Sequence, residues 1–114
     1  MPQYMLLLYA DQNDPAKMAE REAEMPVWME LNDRLREAGL LRATGRLAPV
    51  DSATTVRVRE GETDLTDGPF AVTKEVLAGY YVLECADLDE AIRQAVRLPL
   101  ARYGSVEVRP IVQV

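Results

Sequence analysis

The segment GYYVLECADLDEAIRQAVRLPLARYGSVEVRP, residues 79–110, decides the fold. Its first seven residues form an apolar run typical of a strand, over 79–85. Its last part alternates in polarity from residue to residue, which predicts a second strand over 105–112. The stretch between these runs has the pattern of a helix, so the segment predicts a strand–helix–strand unit.

The helix of this unit has clear signals at both ends. Asp87 and Glu90 have the spacing of a capping box, in which each side chain accepts a backbone N–H of the first turn. Pro99 lies just beyond the expected end, where a helix cannot continue. Residues at helical spacing form one predicted apolar stripe, namely Leu88, Ala91, Ile92, Ala95 and Val96.

The first half of the chain repeats the same order of elements. A strand is predicted over 3–9, and Asp14-Pro15 is typical of a helix start. Pro26 interrupts the helical pattern, so a short helix followed by a longer one over 26–38 is expected. A further strand is predicted over 40–47. In this strand Arg42, Thr44 and Arg46 should share one side.

A hairpin separates the two units. The runs 54–59 and 62–66 flank Glu60-Gly61, where glycine permits the positive φ of a tight turn. A non-strand segment is expected over 67–77. Without the hairpin the order is βαββαβ, which predicts an α+β, ferredoxin-like fold with an antiparallel sheet and both helices on one face. We expect one domain over 1–114, because the length is close to the commonest domain size.

The sheet face opposite the helices is expected to be a contact surface. In the last strand Val106 and Val108 should face the helices, which leaves Glu107, Arg109 and Ile111 on the open side. A face that mixes charged and large apolar residues suits a dimer interface with a pocket better than open water. The expected assembly is therefore a homodimer.

Composition excludes several classes of function. The formal net charge of -6 would repel phosphate backbones, so no nucleic-acid partner is expected. No apolar run has the length of a membrane span and no basic signal peptide begins the chain, so a cytoplasmic protein without a membrane partner is expected.

Catalytic and metal sites are restricted by the residue types present. The chain has no histidine, which excludes Ser-His-Asp and Cys-His catalysis and histidine metal sites. Its one cysteine, Cys85, lies in a strand pattern and is expected to be a small buried apolar residue. We expect no metal and no cofactor. The acidic residues near the first helix are interpreted as a solvated face, namely Asp11, Asp14, Glu20, Glu22 and Glu24.

The central motif resembles a known signature. Asp67-Gly68-Pro69-Phe70, followed by Thr73-Lys74-Glu75 and Gly79-Tyr80-Tyr81, is similar to the motif of the DGPF group of the YCII-related family. The opening run 4–9 and the ending 104–110 are similar to the same group. The resemblance implies a ferredoxin-like fold whose sheets pair into a dimeric α+β barrel, with a cleft beside each sheet.

The same resemblance implies little about chemistry. Most members of the group have no established activity, and some are encoded beside, or fused to, extracytoplasmic-function sigma factors. Other YCII-related proteins are proposed to use a His-Asp pair, which this chain cannot supply because it lacks histidine.

Several motif residues have two interpretations each. Asp67 either caps a turn by accepting backbone N–H groups or acts as a general base or ligand contact. Phe70 is either a core or interface anchor or a stacking surface. Lys74 and Glu75 form either an exposed charged turn or a polar wall of the cleft. Gly79 is expected to allow a close approach of two backbones.

The candidate ligand-binding residues lie mainly on strands. Arg46 and Arg109 are expected to share the open face with Glu107, either as an ion-pair network at the dimer interface or as an anion pocket. Tyr80 and Tyr81 should point to opposite faces, so one of them reaches the cleft. The candidate ligand-binding set is Arg46, Lys74, Tyr81, Glu107 and Arg109.

Three hypotheses for the function follow. The first is a non-catalytic protein that binds a small anionic or aromatic molecule in a cleft at the dimer interface, in a regulatory setting. The second is a small isomerase or lyase of cyclic or aromatic compounds that moves protons through Asp67 or a tyrosine. The third is an interaction module that docks a transcription factor such as a sigma factor.

Overall fold

The computed structural model describes residues 1–69 and 74–113. In these ranges the helices are α1 (Pro15–Ala23), α2 (Met25–Glu37) and α3 (Leu88–Val96), with short 3-10 turns at Val50–Ser52 and Pro99–Arg102. The strands are β1 (Gln3–Ala10), β2 (Leu41–Arg46), β3 (Thr54–Arg59), β4 (Glu62–Asp67), β5 (Val76–Glu84) and β6 (Ser105–Pro110). The expectation of an α+β protein is confirmed.

The main sheet has four antiparallel strands in the order β2-β5-β1-β6. Burial alternates along its central strand β1, because successive side chains of a strand point to opposite faces. The face toward the helices buries Tyr4, Leu6, Leu8 and Ala10 in the core. The other face, which we call the open face, is half-buried and carries Met5, Leu7 and Tyr9 of β1 with Tyr80 and Val82 of β5.

Strand β6 lies at one edge of this sheet, where a proline is tolerated because no further strand needs its N–H. Val106 and Val108 pack against the core, whereas Glu107 and Arg109 are exposed. The predicted division between the two sheet faces is therefore confirmed for residues 106–109, whereas the strand ends at Pro110 and not at residue 112 as expected.

Side-chain caps explain where the helices begin. The Asp14 carboxylate accepts the N–H of Ala16 at 3.0 Å, which satisfies a donor that the first turn of α1 leaves free. The predicted break near Pro26 is confirmed, since α1 ends at Ala23 and α2 begins at Met25. Asp87 caps α3 by accepting the N–H of Glu90 at 2.9 Å.

Two predictions about the second unit need correction. Strand β5 begins at Val76, three residues earlier than expected, because its first residues pair with Tyr9 and Ala10 of β1. The apolar stripe of α3 is also divided between two environments. Ala91 and Ala95 are buried, whereas Leu88, Ile92 and Val96 are exposed, so only the small residues of the predicted stripe belong to the core.

Gly79 brings β2 and β5 close together, as predicted. A Cβ atom at this residue would lie 2.9 Å from the carbonyl oxygen of Gly45, nearer than side chains approach a backbone oxygen. Gly79 and Arg46 are partners in the register of the two strands, so this contact sets where β2 ends against the sheet.

Strands β3 and β4 form a separate two-stranded sheet, which we call the arm. The predicted turn is confirmed, with positive φ at Glu60 (52°) and Gly61 (80°). Eleven of the twelve strand residues are exposed, and only Thr55 is half-buried. Phe70 and Thr73 of the central motif lie outside the described residues.

Within residues 1–69 and 74–113, no helix combines the length and the apolar character that crossing a bilayer requires.

Cys85 is fully buried, as the sequence predicted, and burial together with the nearby Glu90 raises the pKa of its thiol to about 11. At pH 8 only about a thousandth of such a thiol is ionised, and the thiolate is the reactive form. We expect a disulfide reagent such as DTNB to label Cys85 only after denaturation. Rapid stoichiometric labelling of the native protein would contradict this placement.

Candidate functional site

A pocket lies between the first two helices and the sheet, and we call it the helix-side pocket. Its volume is about 150 Å³, close to that of cavities that hold a benzene ring. Helices α1 and α2 supply one side, and strands β1, β2 and β5 supply the other. The lining residues are Leu8, Arg21, Met25, Trp28, Asn32, Thr44, Gly45, Arg46, Gly79 and Tyr81.

Two aromatic rings form one wall of this pocket. Trp28 of α2 and Tyr81 of β5 are stacked, with their ring centroids 6.3 Å apart and their planes 15° from parallel. The Tyr81 hydroxyl donates a hydrogen bond to Oδ1 of Asn32 at 2.5 Å, which fixes the ring. Burial raises the pKa of Tyr81, so the phenol keeps its proton at neutral pH.

The indole N–H of Trp28 is in an unusual environment. Its Nε1–H is buried and has no hydrogen-bond partner among the described residues. An unpaired buried donor costs roughly 1–3 kcal/mol, so such groups are rare unless they serve a purpose. The side chain that carries this donor also lines the helix-side pocket.

Arg21 places a positive charge in the interior. Its side chain is 6% exposed, and Nη2 donates to the carbonyl oxygen of Ala78 at 3.1 Å. Burial, and next the positive charge of Arg46, lowers the pKa of this guanidinium below its usual value. Arginine nevertheless stays protonated at neutral pH, so the pocket contains a fixed cation.

Arg46 is the second cation of the pocket. Its Nη2 forms an ion pair with Glu22 of α1, and its Nη1 lies 3.6 Å from the sulfur of Met25. The hydrogen bond from Arg46 to Glu22, and next the positive charge of Arg46, lower the pKa of the Glu22 carboxyl. The pair is largely exposed, so a competing anion can reach Arg46 from solvent.

A second cavity adjoins the first. Its volume is about 470 Å³, and it shares Arg21 and Arg46 with the helix-side pocket. The remaining lining comes from Gln12, Met18, Glu22, Leu47, Ala48 and Pro49. A ligand bound to the two guanidinium groups could therefore extend in either direction.

The arrangement suits a small organic anion. Guanidinium groups bind carboxylates through parallel hydrogen bonds, and stacked aromatic rings provide a flat apolar wall. Residues 1–69 and 74–113 contain no cluster of three or more Cys, Asp or Glu side chains placed to hold a metal ion.

The structure does not bring the two predicted arginines together. Arg46 extends toward the helices and pairs with Glu22, whereas Arg109 lies on the open face at the opposite edge of the sheet. The expectation that they share the open face is therefore wrong. An irregularity in β2 between Leu41 and Ala43 changes the register against β5, which the alternation of residues in the sequence does not reveal.

The same irregularity separates Arg42 from Arg46. Arg42 pairs with Glu84, which lies opposite Gln3 of β1, whereas Arg46 pairs with a helix residue. The expectation that Arg42, Thr44 and Arg46 share one side is wrong for Arg42, because the bulge adds one residue to the alternation.

The two tyrosines of β5 are now assigned to faces. Tyr81 is buried on the helix side and lines the pocket, whereas Tyr80 lies half-buried on the open face. Glu107 is also on the open face, where it accepts a hydrogen bond from the Tyr9 hydroxyl at 3.3 Å.

The other candidate residues lie away from the helix-side pocket. Lys74 is exposed, and Glu75 accepts a hydrogen bond from the Ser105 hydroxyl at 2.8 Å. Asp67 is exposed at the end of β4. None of these three residues lines the pocket, so the predicted ligand-binding set is brought together only for Arg46 and Tyr81.

The described part of the motif shapes the base of the arm. Gly68 has φ of +102°, and its N–H donates to the Ala53 carbonyl oxygen at 2.6 Å. Its own carbonyl oxygen accepts from Thr55 Oγ1 at 2.8 Å. Pro69 has no N–H and residues 70–73 lie outside the described residues, so the capping bond expected of Asp67 stays a prediction.

Sequence reasoning missed four polar or aromatic lining residues, namely Arg21, Trp28, Asn32 and Thr44. For Arg21 a signal existed. It lies three residues after Met18, four before Met25 and seven before Trp28, and it therefore occupies the apolar stripe of the two helices. A charged residue on such a stripe indicates a buried, partnered cation.

Two comparisons with known proteins give the relationships of the chain. A family model described as the YCII-related domain matches residues 3–114. An uncharacterized protein of Rhizobium meliloti (strain 1021) is 42% identical over 113 residues, which cover 95% of this chain and 90% of that protein.

Substitutions at the arm base separate the roles of Asp67 and Gly68. Because Asp67 is exposed, we expect Asp67→Ala to change the free energy of unfolding by less than about 0.5 kcal/mol. Gly68→Ala should cost about 1 kcal/mol or more, because its positive φ strains any residue with a Cβ. Urea denaturation measures both. A larger loss for Asp67→Ala than for Gly68→Ala would refute this assignment.

Proposed function

This chain is a member of the YCII-related family, and from that premise we propose that it binds a small carboxylate with an aromatic or apolar body in the helix-side pocket. The observation that carries this proposal is that two guanidinium groups, those of Arg21 and Arg46, line one cavity beside the stacked rings of Trp28 and Tyr81. A neutral apolar ligand would make no use of the second cation that these two guanidinium groups place at the cavity.

Arg21 is proposed as the fixed part of the site. One of its five N–H donors is used by the carbonyl oxygen of Ala78, which holds the guanidinium in place. The remaining donors are available to an oxyanion without further ordering of the side chain. Such preorganisation favours binding because little conformational entropy is lost.

Arg46 is proposed as the exchangeable part. In the free protein its partner is the Glu22 carboxylate, and a bound carboxylate would replace that partner. Arg46 keeps one ion pair when the ligand carboxylate replaces Glu22. The free energy of binding therefore depends mainly on how well the apolar part of the ligand packs against Trp28 and Tyr81. The ligand's ring would pack beside Trp28 and Tyr81.

Binding of this kind requires no proton transfer. Asp67, considered above as a general base, does not line the pocket, and Tyr81 stays protonated because burial raises its pKa. The proposal is therefore a non-catalytic binding protein. A cytoplasmic, regulatory setting linked to a sigma factor is the part of the proposal that depends on family resemblance alone.

We further propose that two copies pair through their open faces. The strand order β2-β5-β1-β6 is that of a ferredoxin-like sheet, for which the resemblance implies a dimeric α+β barrel. Met5, Leu7 and Val82 are half-exposed there, and Arg109 and Glu107 provide charges of both signs. The pocket proposed here lies within each protomer on the helix side, not at the dimer interface as first expected.

A thermal-shift titration with benzoate and salicylate tests the pocket. Ligand at a hundred times its dissociation constant stabilises a protein by about 2.7 kcal/mol, so we expect a clear rise of the melting temperature. Arg46→Gln should reduce the affinity at least tenfold. Glu22→Gln should raise it, because Arg46 then has no competing carboxylate.

Arg42→Gln is the matched control for this titration, because Arg42 lies on the same strand and pairs with Glu84 away from the pocket. Its ligand affinity should equal that of the wild type. Equal affinity in Arg42→Gln and Arg46→Gln would refute the site, as would a wild type that no aromatic carboxylate stabilises.

A further inference from the structure

The arm, formed by β3 and β4, has two unlike faces. Across the strands Arg57 lies opposite Asp64, and Arg59 lies opposite Glu62, so one face carries facing charges of opposite sign. On the other face Val56 lies opposite Leu65, with Val58 next to them on the same side. Such a division is typical of a sheet that packs one face against another surface.

No described element covers the apolar face. Val56 is 60% exposed, Val58 is 57% exposed and Leu65 is 66% exposed. The arm strands pair with each other, and no described helix or other strand packs extensively against them. An isolated two-stranded hairpin is only marginally stable in water, and within residues 1–69 and 74–113 no element supplies the packing that would stabilise the arm.

The shape of the chain agrees with a projecting arm. The radius of gyration is 15.8 Å, whereas a compact domain of this length has a value of about 13 Å. The two ends of the arm are joined to each other, because the Gly68 N–H donates to the Ala53 carbonyl oxygen and the Thr55 hydroxyl donates to the Gly68 carbonyl oxygen. These bonds continue the pairing of the two strands to the base of the arm, and they do not attach the arm to the main sheet.

We propose that the apolar face of the arm packs against a second copy of this chain. This inference rests on the proposed pairing of two open faces. That face alone is small for the purpose: its four strands of six to nine residues have a footprint of roughly 450 Å². A standard interface buries about 800 Å² on each partner.

The arm supplies the missing area. Its own face adds roughly 200 Å², and the surface that the partner's arm covers adds a similar amount. The total area then reaches the standard size in a symmetric dimer, where the arm of each copy packs against the surface of the other copy. An acidic membrane surface is a poor alternative, because residues 54–67 contain four acidic and two basic side chains.

Two neighbouring residues of β4 give a matched test. Leu65 and Thr66 point to opposite faces of the arm, and both are exposed. Sedimentation equilibrium should show that Leu65→Glu weakens self-association at least tenfold, whereas Thr66→Glu, with the same added charge, changes it less than threefold. A photo-crosslinking residue in place of Val58 should join two 12.8 kDa chains in the otherwise unaltered protein.

Val82→Glu on the open face separates this inference from the pairing on which it rests. If Val82→Glu dissociates the dimer and Leu65→Glu does not, the open-face pairing stands and the arm inference is wrong. Crosslinks from residue 58 confined to its own chain would also overturn it. A wild-type protein that is monomeric at micromolar concentration would overturn both the open-face pairing and the arm contact. The thermal-shift titration would still test ligand binding independently.

Discussion

The buried guanidinium of Arg21, bonded to the carbonyl oxygen of Ala78, is the contact on which the helix-side pocket depends. It joins helix α1 to strand β5 through the interior rather than through apolar packing alone. Burying a charge is costly unless its donors are satisfied, and this bond satisfies only one of them. The Arg21 side chain lines a cavity together with Arg46, and two guanidinium groups on one cavity favour an anionic occupant.

We propose that one face of the sheet contributes to ligand binding and that the other face forms the dimer interface. Toward the helices, β1 buries its alternate residues and leaves room beside Trp28 and Tyr81 for a small ring. On the other side the same strand presents half-exposed apolar residues suited to a second copy. Because ligand and partner would use opposite faces, binding of one does not block the other. The arm extends the second surface beyond the edge of the sheet.

Local signals predicted most of the fold, whereas the site required information that no local pattern contains. The Asp87 cap, the Glu60-Gly61 turn and the alternation of β6 were all readable, since each depends on neighbours in sequence. The face that Arg46 occupies depends instead on a bulge in the pairing of β2 with β5. Arg21 was visible on an apolar helix stripe, but its partner Ala78 is 57 residues away.

The most direct test of the pocket is nitrogen-15 NMR of the arginine side chains during titration with benzoate, with resonances assigned through single Arg→Lys variants. The account predicts that the Nε–H signals of Arg21 and Arg46 shift together and saturate with one dissociation constant, while Arg42 and Arg109 stay unchanged. Saturating shifts at Arg42 or Arg109 without shifts at Arg21 would contradict it, as would the absence of any saturating shift.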